Sequence, residues 1–371
     1  MKVGIDTFGC AHGKSGLGSY LVSLTDCLKN DENVTFELFG PEIDRYTYSS
    51  KNGFDYKAVS IPDKITSERQ WHVLFANKFA RKNKFDAVLY PAAAHMLPLH
   101  FRVPGVAVVN DIVSNLIMEK NYNSYFIKHS LKRADKVIVA SQIIRKDIER
   151  LGIKSNNIIV IHNGINHSEF YPREQFLEDF IDIKPFAIQK PYFIYASRMA
   201  SPSKKHVELV RAFTLFKERT HFPHRLVLAG SEGECSEAVY KAVYESSAAT
   251  DIFITGFFPH ESFPLLYSNS EGCLFPSVSE GVGLPVLEAM ATGVPVACSK
   301  SGALTEIAGN NALYFDSDNI EEMADAMEKL ASDSALRKKL IEGGVEWSRR
   351  FSWEKTAEKT IEVLCSVCNA K

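Results

Sequence analysis

The chain has 371 residues, 45% hydrophobic and 24% charged, which suits two cores better than one and excludes the disordered and fibrous classes. A formal net charge of −2 gives no global case for nucleic-acid binding. Seven scattered cysteines, an odd number, fit a reducing cytoplasm rather than a disulfide framework, and the apolar stretch at Met1-Lys2-Val3-Gly4-Ile5-Asp6 is too short for a signal peptide.

In chain order, short apolar runs predict strands at 2–6, 34–39, 86–90, 105–109, 136–140 and 158–161, then at 192–196, 225–229, 252–255, 272–275 and 294–298. Helical periodicity places helices between them at 18–29, 68–83, 123–133, 142–151, 205–219, 236–247, 261–268, 285–292, 303–308, 320–331 and 334–349, with a last helix over 353–368. Strands that are nearly all apolar and alternate with helices predict an α/β chain with parallel sheets. The strands fall into two groups, so two Rossmann-like doubly wound domains are expected, covering 1–184 and 185–352. The aperiodic stretch 166–190 is the joint between them. Open parallel sheets bind ligands at the carboxyl ends of their strands, so the expected site is a cleft where both sets of strand ends face each other.

Two other segments are bounded by composition. The apolar window 87–109 is broken by Pro91, Pro98 and Pro104 and carries Arg102, so it does not span a membrane. The segment 67–84 sets Trp71, Leu74, Phe75 and Phe79 among Arg69, Lys78, Arg81, Lys82 and Lys84. It suits an anionic membrane surface, but a core helix with a solvated basic face is favoured. Cys365 and Cys368 form a lone C-x-x-C without a second pair at zinc spacing, so helical packing is expected and no metal site.

Chemistry is expected only just after strands. Behind the first lies Phe8-Gly9-Cys10-Ala11-His12-Gly13-Lys14-Ser15-Gly16-Leu17-Gly18. A P-loop would need glycine where Phe8 stands, and no G-x-G-x-x-G occurs, so the loop reads as a flexible turn whose Gly16 and Gly18 let a ligand approach backbone N–H groups. His95 follows the third strand, and Asn110 and Asp111 the fourth. They are candidates for the acceptor side, with helix capping an equal reading for Asp111. Asn163-Gly164 is a polar exit. In the second half Arg198, Lys204 and Lys205 follow a strand, as cations suited to a diphosphate. Gly230 and Gly256 end the next two strands and leave room for a nucleotide.

The most informative stretch is Glu280-Gly281-Val282-Gly283-Leu284-Pro285-Val286-Leu287-Glu288, between the apolar runs at 272–276 and 294–298. It reads strand, loop, short helix, strand. Pro285 suits the first helical turn and Gly293 the position beyond the last. First-turn N–H groups point into the loop, a place that binds phosphate.

Together these features resemble the GT-B-fold retaining glycosyltransferases of family 4 (glycosyl transferases group 1) over nearly the whole chain. The E-x₇-E element with its glycines, proline and helix is the most specific signal. Gly16-Leu17-Gly18, Asn163-Gly164, Arg198 with Lys205, Gly256, Ser301-Gly302 and Glu306-Ile307-Ala308-Gly309 fall in family order. The resemblance implies a nucleotide diphosphate sugar donor, UDP- or GDP-linked, and a glycan or lipid-linked glycan acceptor. It implies work in polysaccharide or lipopolysaccharide assembly, in the cytoplasm or peripheral to the inner membrane face, with no cofactor, metal or nucleic-acid partner. Glu288 would bind the ribose and Glu280 the transferred sugar. Backbone N–H groups of Val282, Gly283 and Leu284 would meet sugar or diphosphate, and Arg198 and Lys205 would neutralise the leaving diphosphate, Lys205 being preferred to Lys204. The first domain would take the acceptor, with the last helix packed back on it. Many relatives carry His where Asn110 stands, and Asn cannot take a proton near pH 7. A sugar-nucleotide epimerase or phosphorylase on the same scaffold, or a non-catalytic nucleotide-sugar binder, are the alternatives.

Overall fold

The computed structural model describes residues 1–49, 52–118, 124–174, 178–184 and 186–369. The chain forms two compact units, residues 1–164 with 351–371, and residues 165–350.

The first unit runs β1 Lys2–Asp6, α1 Gly16–Cys27, β2 Thr35–Gly40, α2 Arg45–Ser49, β3 Asp55–Ala58, α3 Ile65–Leu74, α4 Ala76–Lys82, β4 Ala87–Tyr90, β5 Gly105–Val109, α5 Val113–Met118, α6 Ser124–Leu131, β6 Lys136–Val139, α7 Gln142–Arg150 and β7 Ile158–Val160. Its sheet is wholly parallel in the order β3-β2-β1-β4-β5-β6-β7. Chain direction across the sheet reverses between β1 and β4, so their carboxyl ends flank the switch point. β4 and β5 are buried throughout, as parallel strands covered on both faces must be.

The basic amphipathic segment is two helices, α3 and α4, broken at Phe75. Trp71 and Phe79 turn inward onto Phe39, with ring centroids 6.1 and 5.0 Å away. Leu74 and Phe75 remain 66% and 53% exposed. The helix expected over 123–133 is α6; residue 123 lies outside the described residues.

The second unit opens with the antiparallel hairpin β8 Phe180–Ile183 and β9 Phe186–Gln189. It continues β10 Tyr192–Ala196, α8 His206–Thr220, β11 Arg225–Ala229, α9 Ser236–Tyr244, β12 Ile252–Gly256, α10 Phe263–Ser268, β13 Gly272–Phe275, α11 Leu284–Ala291, β14 Val296–Ser299, α12 Leu304–Ala308, β15 Leu313–Phe315, α13 Ile320–Ser332 and α14 Ser334–Ser348. Its parallel sheet has the order β12-β11-β10-β13-β14-β15, with the switch point between β10 and β13. Both units are Rossmann-like and doubly wound.

The sequence puts the domain boundary at 184/185, whereas the compact units divide at Gly164/Ile165. Pro185 lies outside the described residues. Residues 165–183 join the second unit because Phe170 packs on His260 and Tyr267, at 5.4 and 6.5 Å, and because β8 pairs with β9. The last helix, α15 Trp353–Asn369, belongs to the first unit. Trp353 meets the ring of Tyr20 at 5.6 Å, and Thr356 Oγ1 donates to the carbonyl of His162. Cys365 and Cys368 lie on this helix, and neither is in a disulfide. Among the described residues, no helix is long and apolar enough to cross a membrane.

Candidate active site

In the second unit the loops leaving β10 and β13 meet at the switch point. The N–H of Val278 donates to the carbonyl of Ser203 at 2.9 Å, and Lys204 Nζ donates to Glu280 Oε1 at 2.6 Å. Both side chains of that pair are half-buried. Glu280 is fixed from behind as well: its carbonyl accepts from the N–H of Ala303 at 2.9 Å. Gly302, at φ +61, passes so close that a Cβ there would sit 2.9 Å from the same oxygen.

Gly283, at φ +75, precedes α11, and Pro285 occupies its first turn with no side chain capping the end. In the first turn Pro285 has no N–H and the N–H of Val286 donates to the Gly283 carbonyl at 3.1 Å, so the N–H of Leu284 is the one left to whatever occupies the loop. Val282 and Gly283 lead into this turn.

Lys205 lies elsewhere. It takes the left-handed conformation, φ 58 and ψ 31, between the 3-10 turn Pro202–Lys204 and α8. Its Nζ pairs with Asp318 at 2.6 Å and Glu208 at 3.0 Å, which hold its pKa above the ordinary lysine value. The sequence favours Lys205 as the cation of the site, but the structure brings Lys204 to Glu280. The left-handed backbone of Lys205 itself turns the chain just after Lys204.

Two neighbours hold this loop. The Tyr195 hydroxyl donates to the carbonyl of Lys204 at 2.9 Å. The His206 ring lies 4.7 Å from that of Tyr195, and its Nε2 donates to the carbonyl of Ser197 at 3.2 Å. Burial pushes the His206 pKa down to about 4, with Lys204 adding to the effect and the Ser197 carbonyl opposing it. Neither residue stands out in the sequence, where the available signal is a tyrosine one position from a strand end and a histidine opening the next helix.

Arg198 is exposed and its Nε donates to the carbonyl of Glu232 at 3.1 Å, on the β11 side. Gly230 packs under the same loop: a Cβ there would sit 2.1 Å from the Ser197 carbonyl oxygen. Its N–H donates to the carbonyl of Gly256, which has φ +74 and open space around it.

Glu288, one turn into α11, is buried, with His260 Nε2 3.7 Å from its Oε1. Burial raises its pKa to about 7; His260 works against this shift and Glu169 reinforces it.

In the first unit His95 and Asp111 come together at the ends of β4 and β5, with His95 Nε2 3.4 Å from Asp111 Oδ2. Beside them Asn110 is buried, and neither its Oδ1 nor its Nδ2 has a hydrogen-bond partner among the described residues. Buried polar atoms are rarely left so, and the site could satisfy both with a bound hydroxyl.

Ser15 caps α1, its hydroxyl accepting from the N–H of Gly18 at 3.0 Å. A Cβ at Gly18 would collide with the Cys10 carbonyl at 2.4 Å, whereas Gly16 has open space. Behind this loop is a buried pair the sequence did not reveal: His72 Nε2 donates to Asp6 Oδ2 at 2.6 Å and His72 Nδ1 to the carbonyl of Glu68 at 2.7 Å. Burial lowers the His72 pKa, but the charge and hydrogen bond of Asp6 outweigh it and leave the ring above its usual value. Among the described residues, no three His, Cys, Asp or Glu side chains gather as a metal site.

Two family models match: Glycosyltransferase Family 4 over residues 14–169 and Glycosyl transferases group 1 over residues 178–347. The chain belongs to the GT-B glycosyltransferases. It is similar to O-antigen chain mannosyltransferase B of Escherichia coli, 28% identical over 241 residues, 65% of this chain and 63% of that protein, so it spans under two thirds of this relative's length. Sucrose-phosphate synthase from Thermosynechococcus elongatus has the same fold, with a TM-score of 0.77 and 18% identity over 100% of both chains. So does Anabaena HepE in complex with UDP and glucose, with a TM-score of 0.73 and 17% identity over 99% of this chain and 100% of that one.

Proposed function

We propose that this GT-B glycosyltransferase moves a sugar, with retention of anomeric configuration and without a metal, from a UDP- or GDP-linked donor to a glycan or glycolipid acceptor in cell-surface polysaccharide assembly. The observation that carries the reading is the 2.6 Å Lys204–Glu280 pair at the switch point of the second sheet, beside the uncapped start of α11. The diphosphate would lie against the backbone N–H groups of Val282, Gly283 and Leu284 and against Lys204, with Arg198 as a second cation. Such a reaction is accelerated above all by cations and N–H dipoles placed in advance where negative charge develops. Glu280 would release Lys204 to the donor and contact the transferred sugar. Glu288 would accept from the ribose hydroxyls, and Gly230 and Gly256 would leave space for the nucleotide.

In the step itself the bond from the anomeric carbon to the diphosphate oxygen breaks and the bond to the acceptor oxygen forms on the same face. The acceptor's proton passes to the departing diphosphate, so no side-chain base is required and Asn110 need not act as one. His95, Asn110 and Asp111 would hold the acceptor hydroxyl on the first unit, at the inner membrane face or in the cytoplasm.

The names of the relatives support the reading: an O-antigen chain mannosyltransferase fits polymer assembly, and HepE in complex with UDP and glucose fits a nucleotide-sugar donor. Incubation with UDP- and GDP-sugars, with and without acceptor glycans, tests the proposal. Acceptor-dependent release of nucleoside diphosphate supports it. Donor binding without turnover on any acceptor would reduce the chain to a binder, and interconversion of the free donor would point to an epimerase.

A further inference from the structure

The first unit holds a cavity of about 690 Å³ between α3, the β4–β5 connection and α6, a volume in the range of small-molecule sites. Its wall is mainly apolar, built by Val73, Leu74, Met96, Leu97, Phe126 and Ile127. Its polar groups include Arg69 and His95. A sugar ring would strand its hydroxyls on such a wall, whereas an aliphatic chain would not.

The cavity is continuous in chemistry with the surface around it. Ile65, Leu74, Phe75 and Tyr125 are 51%, 66%, 53% and 69% exposed, and apolar exposure gathered in this way marks a binding region. Arg69 stands in the wall itself, and α4, the helix that follows α3, exposes Lys78, Arg81 and Lys82. An apolar hollow with a guanidinium in its wall complements an apolar chain with an anionic head. His95 belongs both to the wall and to the pair with Asp111, next to the unpartnered Asn110.

We infer that this cavity receives the aliphatic chain of an amphiphilic acceptor, its anionic head group beside Arg69 and its reacting hydroxyl on the side of His95, Asn110 and Asp111. The inference rests on the glycosyltransferase reading and names the acceptor class for it. The acceptor is then lipid-linked, and the apolar chain supplies the affinity that a single sugar hydroxyl cannot.

The test is calorimetry on the full chain with octyl, decyl and dodecyl phosphate and dodecyl glucoside, all below their micellar concentrations. Affinity is expected to rise about fourfold per added methylene. Val73→Trp, at a half-buried wall position, fills the cavity and should weaken dodecyl phosphate at least tenfold. Arg69→Gln should weaken dodecyl phosphate and leave dodecyl glucoside within about twofold, with Arg69→Lys restoring part of the loss. Nucleoside diphosphate binding, unchanged in all three variants, confirms that they fold. Affinity independent of chain length, or insensitive to Val73→Trp, overturns the inference. So does binding to anionic vesicles alone that Val73→Trp leaves intact, which would mean a membrane-facing surface instead. Sugar transfer to soluble glycans without any chain binding removes this inference and leaves the proposed function standing. Chain binding without transfer to any chain-bearing acceptor removes the proposed function and leaves the cavity as a lipid site.

Discussion

Lys204 Nζ lies 2.6 Å from Glu280 Oε1, joining the two loops that leave the central strands of the second sheet. Each partner keeps the other's charge compensated at a half-buried position, so neither needs a donor to be stable there. Under the proposed function a diphosphate entering this loop would compete with Glu280 for Lys204, and the pair would hold the cation ready where the leaving group gathers charge.

Lys204→Ala should lower kcat by about 10²–10³, the usual loss when one stabilising donor is removed from developing charge. Lys205→Gly should keep turnover within a few-fold. Glycine relieves the left-handed backbone at Lys205, and the ion pairs lost with Asp318 and Glu208 are worth little at a surface. Steady-state nucleoside diphosphate release compares the two. A larger loss in the Lys205 variant would reverse the assignment.

The proposed ribose role of Glu288 ties donor affinity to pH. With its pKa raised from 4.5 to about 7, the folded protein resists ionising this carboxyl. Its stabilising contribution is full below pH 4.5 and is lost as pH rises through 7. The loss is on the order of 3 kcal/mol and should be absent from Glu288→Gln. Donor affinity should move the opposite way, tightening from pH 6 to 8 as the carboxylate forms and accepts from the ribose. Denaturant unfolding and donor titration across this range check both trends. Donor affinity unchanged in Glu288→Ala would remove the ribose role.

His224 is buried against Phe193, with centroids 5.1 Å apart and planes 15° from parallel, and neither ring nitrogen has a hydrogen-bond partner among the described residues. Burial, then Lys217 and Arg337, lowers its pKa to about 4. Its contribution to stability is present above pH 6.5 and is lost as pH falls towards 4. His224→Phe keeps the stack and removes the stranded nitrogens, so it should stabilise the protein by about 1 kcal/mol. The gap in Tm between pH 8 and pH 5 should narrow; an unchanged gap would mean the ring is not buried in its neutral form.

Gly230→Ala and Gly256→Ala separate two reasons for glycine. A Cβ at Gly230 meets the Ser197 carbonyl at 2.1 Å, whereas one at Gly256 meets nothing within 4 Å and pays only for φ +74. The first should shift the Arg198 loop and weaken donor binding by more than tenfold. The second should cost about 1 kcal/mol and leave the loop in place. Equal donor affinities in the two variants would contradict this.

The central strands were legible because they are continuous apolar runs between turn residues, and Glu280–Glu288 because glycine and proline mark its loop and helix start. The edge strands β3 and β15 were not: each is short and part-exposed, with no apolar run to detect. The β8–β9 hairpin hid in a stretch read as a joint, its alternation spread over only four residues per strand. The choice between Lys204 and Lys205 depends on one left-handed residue, and the Asp6–His72 pair joins positions 66 apart in the chain. Neither leaves a local pattern.

Sugar transfer with retention at the Lys204–Glu280 site is read out by proton NMR of the anomeric signal while the chain consumes an α-linked nucleotide sugar in the presence of acceptor. Retention gives an α-linked product formed in step with nucleoside diphosphate release, and Lys204→Ala should lose both. A β-linked product, or turnover untouched by that substitution, would contradict it.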